Sequence, residues 1–163
     1  MSPRIPLLTL LFALGLALAG CAGLPLQPSK QLAATAAPVD LTAAQDMIST
    51  YRKAHGLSLV VLDPVLARVA QNQAMAMARA DVMSHTVDGS LMARLDGAGA
   101  ANKAAIENVS AGYETLPSAI AGWQHSPEHN ANLLDPKMPR MGIAAANAPG
   151  SRFKLYWALD MTD

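Results

Sequence analysis

Apolar residues along this chain change period near residue 140, and the change separates helices from strands. Over AAQDMISTYRKAHG, residues 43–56, Met47, Ile48 and Tyr51 form a stripe among polar positions. That spacing predicts a helix capped by Thr42 and stopped at Gly56. LSLVVL is a short apolar run, and it leads into Asp63-Pro64, a natural N-cap and first helical residue. The helix that follows should reach about Met83, with Leu66, Val69, Ala70, Met77 and Ala80 on one face and Arg68, Asn72, Arg79 and Asp81 off it. SHTVDG reads as a loop with Asp88-Gly89 as its turn, and Leu91 to Leu95 as a helical turn. Thr115 to Trp123 forms a third helix with Pro117 in its first turn, and a fourth starts at Ser126-Pro127. Beyond the Pro-rich DPKMPR, Met141 to Asn147 and Phe153 to Met161 read as strands. Asn147-Ala-Pro-Gly150 between them predicts an antiparallel hairpin. Helices precede strands instead of alternating with them, so the pattern predicts an α+β fold, an antiparallel sheet covered by helices. No internal repeat is visible.

The first twenty residues change the picture of where this domain works. One basic residue, Arg4, precedes the apolar run Leu7 to Ala19, the n-region and h-region of a secretory signal. The competing reading is a membrane-spanning anchor, but Ile5 to Ala19 falls short of the roughly 20 residues that cross a bilayer. The run ends in Leu18-Ala19-Gly20-Cys21, which resembles the lipobox of bacterial lipoproteins. The resemblance implies removal of residues 1–20, acylation of Cys21 and attachment to a membrane. Ala22, where an aspartate would signal retention, implies the outer membrane of a host that has one. The other reading is an ordinary signal with an incidental cysteine. Residues 22–40, rich in Pro, Ala, Ser and Gln, read as a flexible tether, and the folded domain as Leu41 to Asp163.

Of 163 residues, 52% are hydrophobic, and much of the excess lies in that leader. Its removal leaves eleven basic against twelve acidic residues without a basic patch, which argues against nucleic acid as a partner. Cys21 is the single cysteine, so no internal disulfide can form and the core alone must hold the fold.

The candidate chemistry gathers in WQHSPEHNANLL, residues 123–134. Helix initiation accounts for Ser126 as N-cap, Pro127 as N1 and Glu128 at the positive end of the dipole. It does not account for His129. A cation is disfavoured at that position, so the imidazole should stay neutral, able to ligate a metal or act as a base. His85, in the loop after the second helix, and Glu107, in IENVSAGY, are the other candidates. Nothing in their spacing brings the three together. His55 sits at a helix C-terminus and His125 ahead of an N-cap.

Five motifs in order resemble bacterial members of the CAP superfamily (cysteine-rich secretory proteins, antigen 5 and plant pathogenesis-related class 1 proteins), whose domain is also called SCP. They are Tyr51-Arg52-Lys53-Ala54-His55-Gly56-Leu57 with Asp63-Pro64; Met83-Ser84-His85 with Gly89 and Arg94; Glu107-Asn108-Val109 with Gly112; Trp123 through Ser126-Pro127-Glu128-His129 to Asn132-Leu133-Leu134; and Met141-Gly142-Ile143 with Tyr156-Trp157. The resemblance implies an α-β-α sandwich in which His85, Glu107 and His129 converge in a cleft. It also implies a divalent metal such as Zn²⁺ held by His85 and His129 in some members. The family's second glutamate on the Trp helix is missing, since only Gln124 and Ser126 stand there, and Glu128 lies where bacterial relatives often carry glycine.

Three functions follow from these expectations. The first is a membrane-tethered binding module for an envelope lipid, glycan, peptide or protein, with metal assistance. The second is a metal-dependent hydrolase or peptidase with Glu107 as general base, or a Ser-His variant using Ser84 or Ser126. The third is a polar cleft that only closes the fold.

Overall fold

The computed structural model describes residues 31–100 and 104–163. The signal, the lipobox and Cys21 lie outside the described residues. Among the described residues no helix is long and apolar enough to cross a membrane.

The first helix, α1 (Leu41–Ala54), starts two residues before the expected position, because Asp40 and not Thr42 caps it by accepting from the Ala43 N–H at 2.9 Å. Arg52 in its last turn is fully buried, and its guanidinium hydrogen-bonds carbonyls, with the charge of Asp135 nearby. It donates to the carbonyls of Ser58, Leu133 and Asp135, and so ties the end of α1 to the end of the fifth helix. After β2 (Val61–Leu62), Asp63 caps α2 (Pro64–Ala80) as expected. That helix stops at Ala80, short of Met83. Asp81 takes the left-handed conformation (φ 51°), and its carboxylate accepts from the Arg152 N–H and the Tyr156 hydroxyl. The hydroxyl of Tyr156 and then the Arg152 N–H hold the Asp81 carboxyl below its usual range. The expected turn at Leu91 is a helix, α3 (Leu91–Gly97), capped by Ser90. α4 (Leu116–His125) carries a capping box between Thr115 and Ser118, and α5 (Pro127–Leu133) follows directly.

The hairpin expected at the end of the chain is β4 (Arg140–Asn147) against β5 (Leu155–Thr162), antiparallel in register from Arg140↔Thr162 to Asn147↔Leu155. Two more strands flank it. β3 (Ala105–Ala111) pairs with β5, so Glu107 and Asn108 lie within an edge strand. β1 (Thr35–Ala37) pairs with the far side of β4, and β2 joins that side in parallel. The folded unit therefore begins before Leu41. Residues 35–37, expected in the tether, are taken up because the outer edge of β4 has N–H and C=O groups to satisfy.

The sheet is covered on both faces, an α-β-α sandwich in the α+β class as expected. Alternation decides which residue faces which layer. Met141, Ile143, Trp157, Leu159 and Met161 point into a core with α1 and α4. Ala144, Ala146, Tyr156, Ala158 and Val109 point at the alanines of α2, Ala70, Ala74 and Ala78. Small residues on both sides let α2 lie close. The closest approach is at Gly142, where a Cβ atom would stand 2.1 Å from the backbone nitrogen of Ala67.

Candidate functional site

The site is built around the free edge of β3, and strand alternation divides it. Glu107 faces the α2 layer and Asn108 the opposite layer. On the first side, the Glu107 side chain is 3% exposed, and both its oxygens are engaged. Oε1 accepts from Nδ1 of His85 at 2.7 Å, and Oε2 accepts from the guanidinium of Arg94. The same guanidinium donates to the carbonyls of His85 (2.9 Å) and Gly89 (2.7 Å). One buried arginine thus explains the spacing His85, Gly89, Arg94. It clamps the loop by its backbone and holds the glutamate that orients the histidine. Gly89 adopts φ 83°, which a side chain would oppose. Because Nδ1 donates to a carboxylate, Nε2 of His85 is the free nitrogen, and the side chain is 55% exposed.

On the other side, Asn108 donates to the His129 carbonyl at 3.0 Å. Asn132 donates to Oδ1 of Asn108 at 2.8 Å and to the Glu107 carbonyl at 3.2 Å. These two asparagines dock α5 on the strand edge and set where His129 stands. His129 is half-buried, and burial first, then the charge of His85, pushes its pKa down, with Glu128 opposing. The direction of this shift favours the neutral imidazole of His129 near pH 7. Tyr51 bonds Asn130 across from α1 at 2.7 Å.

Several sequence expectations fare differently. Glu107 bonds His85 directly, while His129 is tied to the same strand through its carbonyl and Asn108, and the bonds to His85 and Arg94 orient the Glu107 carboxylate. Glu128 is exposed and bonded to neither histidine. Ser126 sits at the N-cap of α5 without making a capping bond, so its hydroxyl is not committed as expected. The Ser84 hydroxyl accepts from the Thr86 N–H and bonds no histidine. His55 and His125 donate to carbonyls of their own helices, Tyr51 and Ala121. Among the described residues no three His, Cys, Asp or Glu side chains group to hold a metal ion. Two imidazoles, one with a carboxylate behind it, fit a divalent ion only if the ion's other ligands come from outside the protein. A separate cavity of about 510 Å³ opens between α2 and α3, lined by Arg68, Asn72, Asp88 and Arg94 among others. Neither histidine lines it.

One residue of the site was not foreseen. Asp160 on β5 lies opposite Glu107 on β3 and Gly142 on β4, fully buried, with its carboxyl beside that of Glu107. Burial, and next the charge of Glu107, push its pKa well above the usual carboxylate range, against the pull of Arg94. A single aspartate in an apolar strand gives no signal of this in sequence. The folded state holds a proton there that the unfolded chain releases above about pH 4. Its contribution to stability is therefore full below that pH and is lost as pH rises toward the folded-state pKa. Asp160→Asn, which imitates the neutral acid, should raise the melting temperature at pH 7 and flatten this part of the pH profile. Equal gains at pH 4 and pH 7 would contradict the assignment.

Comparison with known proteins agrees with this architecture. The family model "CAP: Cysteine-rich secretory protein family" matches residues 45–161. An extracellular SCP-domain protein from Bacillus anthracis superposes with TM-score 0.65 at 25% identity, over 74% of this chain and 39% of its own. A cysteine-rich secretory protein from Staphylococcus aureus gives 0.59 at 24%, over 77% and 40%. The chain thus spans about two fifths of the length of these two. An outer surface protein from Borrelia burgdorferi gives 0.72 at 18% identity, over 80% of this chain and 98% of its own, a likeness of fold. No curated protein matches.

Proposed function

The chain belongs to the CAP, or cysteine-rich secretory protein, family, and on that premise we propose that it is a cell-envelope binding module. It is held at a membrane through acylated Cys21, by way of the outer membrane where the host has one, and it acts through the cleft at the edge of β3. The observation that carries this reading is the engagement of both Glu107 oxygens by His85 and Arg94. With Glu107 spent on orientation and Asp160 buried behind it, the cleft offers a ligand two imidazoles, the outward Nε2 of His85 and the neutral ring of His129. That equipment suits recognition and positioning of a ligand by imidazole nitrogens in place of a free carboxylate. The extracellular and outer-surface neighbours support a place outside the cytoplasm. The ligand is an envelope lipid, glycan, peptide or protein.

A divalent ion such as Zn²⁺ would be held by His85 and His129 and completed by the ligand, giving metal-assisted binding. Zinc titration by calorimetry tests this. His85→Ala and His129→Ala should abolish the heat of binding, and Glu107→Gln should weaken it by about 10- to 100-fold through loss of the carboxylate behind His85. Equal affinity in all four proteins would remove the metal. Turnover of a peptide or ester panel, lost in Glu107→Gln, would overturn the binding reading itself.

A further inference from the structure

The described chain begins at Gln31, and the Leu32 N–H donates to the Arg79 carbonyl at 2.8 Å, so the polypeptide enters the domain at the C-terminal end of α2. Two exposed apolar side chains follow that helix end, Val82 at 40% and Met83 at 51%. The connection between β4 and β5 closes the same corner, because the Arg152 N–H donates to Asp81. That connection exposes Arg152 and Lys154, and Arg79 is exposed on the last turn of α2. The corner thus carries three cations against one carboxylate, Asp81, which is already occupied by Tyr156 and the Arg152 N–H. The chain as a whole is neutral, so this charge is local.

We propose that this corner, with the exposed apolar Val82 and Met83 and the exposed cations Arg79, Arg152 and Lys154, rests on an anionic phospholipid surface. The inference deepens the proposed function and rests on its acylated Cys21. Gln31 lies ten positions after Cys21, and ten residues span at most about 36 Å when fully extended. A domain held that closely by this corner must keep it near the bilayer. The intervening stretch carries one charge, Lys30, of the same sign. Exposed apolar side chains together with basic ones are the composition that seats a protein in the interface of an anionic leaflet, by burial of the former and attraction of the latter. His85 follows Met83 by two residues, so docking would present the cleft at the membrane surface.

The test uses the full chain on phosphatidylglycerol and on phosphatidylcholine vesicles, with Met83 oxidation by chloramine-T followed by peptide mass spectrometry and the mass of the Cys21 peptide read alongside. Oxidation of Met83 should be about fivefold slower on phosphatidylglycerol than on phosphatidylcholine, and added salt should erase the difference. The variant Arg152→Glu/Lys154→Glu should lose the protection. An acylated chain whose Met83 oxidises equally on both lipids overturns docking and leaves the anchor standing. An unacylated chain with protected Met83 overturns the anchor and leaves docking standing. An unacylated, unprotected chain overturns both.

Discussion

Gly142→Ala is expected to destabilise the domain by about 3 kcal/mol or more, the upper end of overpacking costs. The added Cβ would meet the Ala67 nitrogen at 2.1 Å and the Leu66 carbonyl carbon at 2.2 Å, both backbone atoms at the start of α2. Neither can swing aside as a side chain would. The helix must lift, and the alanine contacts of Ala70, Ala74 and Ala78 with Ala144, Ala146 and Ala158 open with it. Urea denaturation of the folded protein measures the loss. A cost under about 1 kcal/mol would mean that α2 has slack at this point. The site would register the same change, because the loop that carries His85 leaves the C-terminal end of that helix.

Arg94→Met is the second large effect, expected to cost about 3–5 kcal/mol, the usual consequence of removing one partner of a buried ion pair. The Arg94 side chain is 5% exposed and that of Glu107 is 3% exposed, so the carboxylate left behind could not be compensated by water. It would also face the buried Asp160 without the arginine that now stands beside both. The carbonyls of His85 and Gly89 would lose their donor as well. Pairing the change with Glu107→Leu should recover a large part of the loss, since the double variant buries no charge of that pair. If the double variant is as unstable as the sum of the single ones, the two side chains are not coupled and the clamp is wrongly assigned.

Some of this was legible in the chain and some was not, and particular residues show why. Asp63-Pro64 and Thr115 announced their helices because caps act within a few residues. The hairpin of β4 and β5 was visible because alternating apolar runs with a turn between them are a local signal. Thr42 was the wrong cap because Asp40, two residues earlier, offers the same chemistry, and only the path of the chain chooses between them. β1 was missed because TAA has no pattern of its own. It is a strand because β4 has an edge to satisfy. Arg94, Asn108 and Asn132 were visible as parts of motifs, but the motifs gave them no roles, since each bonds a residue at least nine positions away or on another element. Asp160 left no trace at all.

By itself, the sequence determined the α+β class, most of the helices, the closing hairpin, the family resemblance and the short set of His and Glu residues from which a site could be made. All of these rest on periodicity, capping and motif order, which are written over a few residues at a time. The tertiary structure alone decided which of them share a site and in what capacity. Strand alternation turned Glu107 toward Arg94 and His85, and turned Asn108 toward α5. The register of β3 on β5 set a buried acid behind the glutamate. The physical reason is that burial, charge neighbours and the direction of a side chain depend on residues far away in the chain, and these decide whether a carboxylate attacks, binds or merely holds a histidine in place.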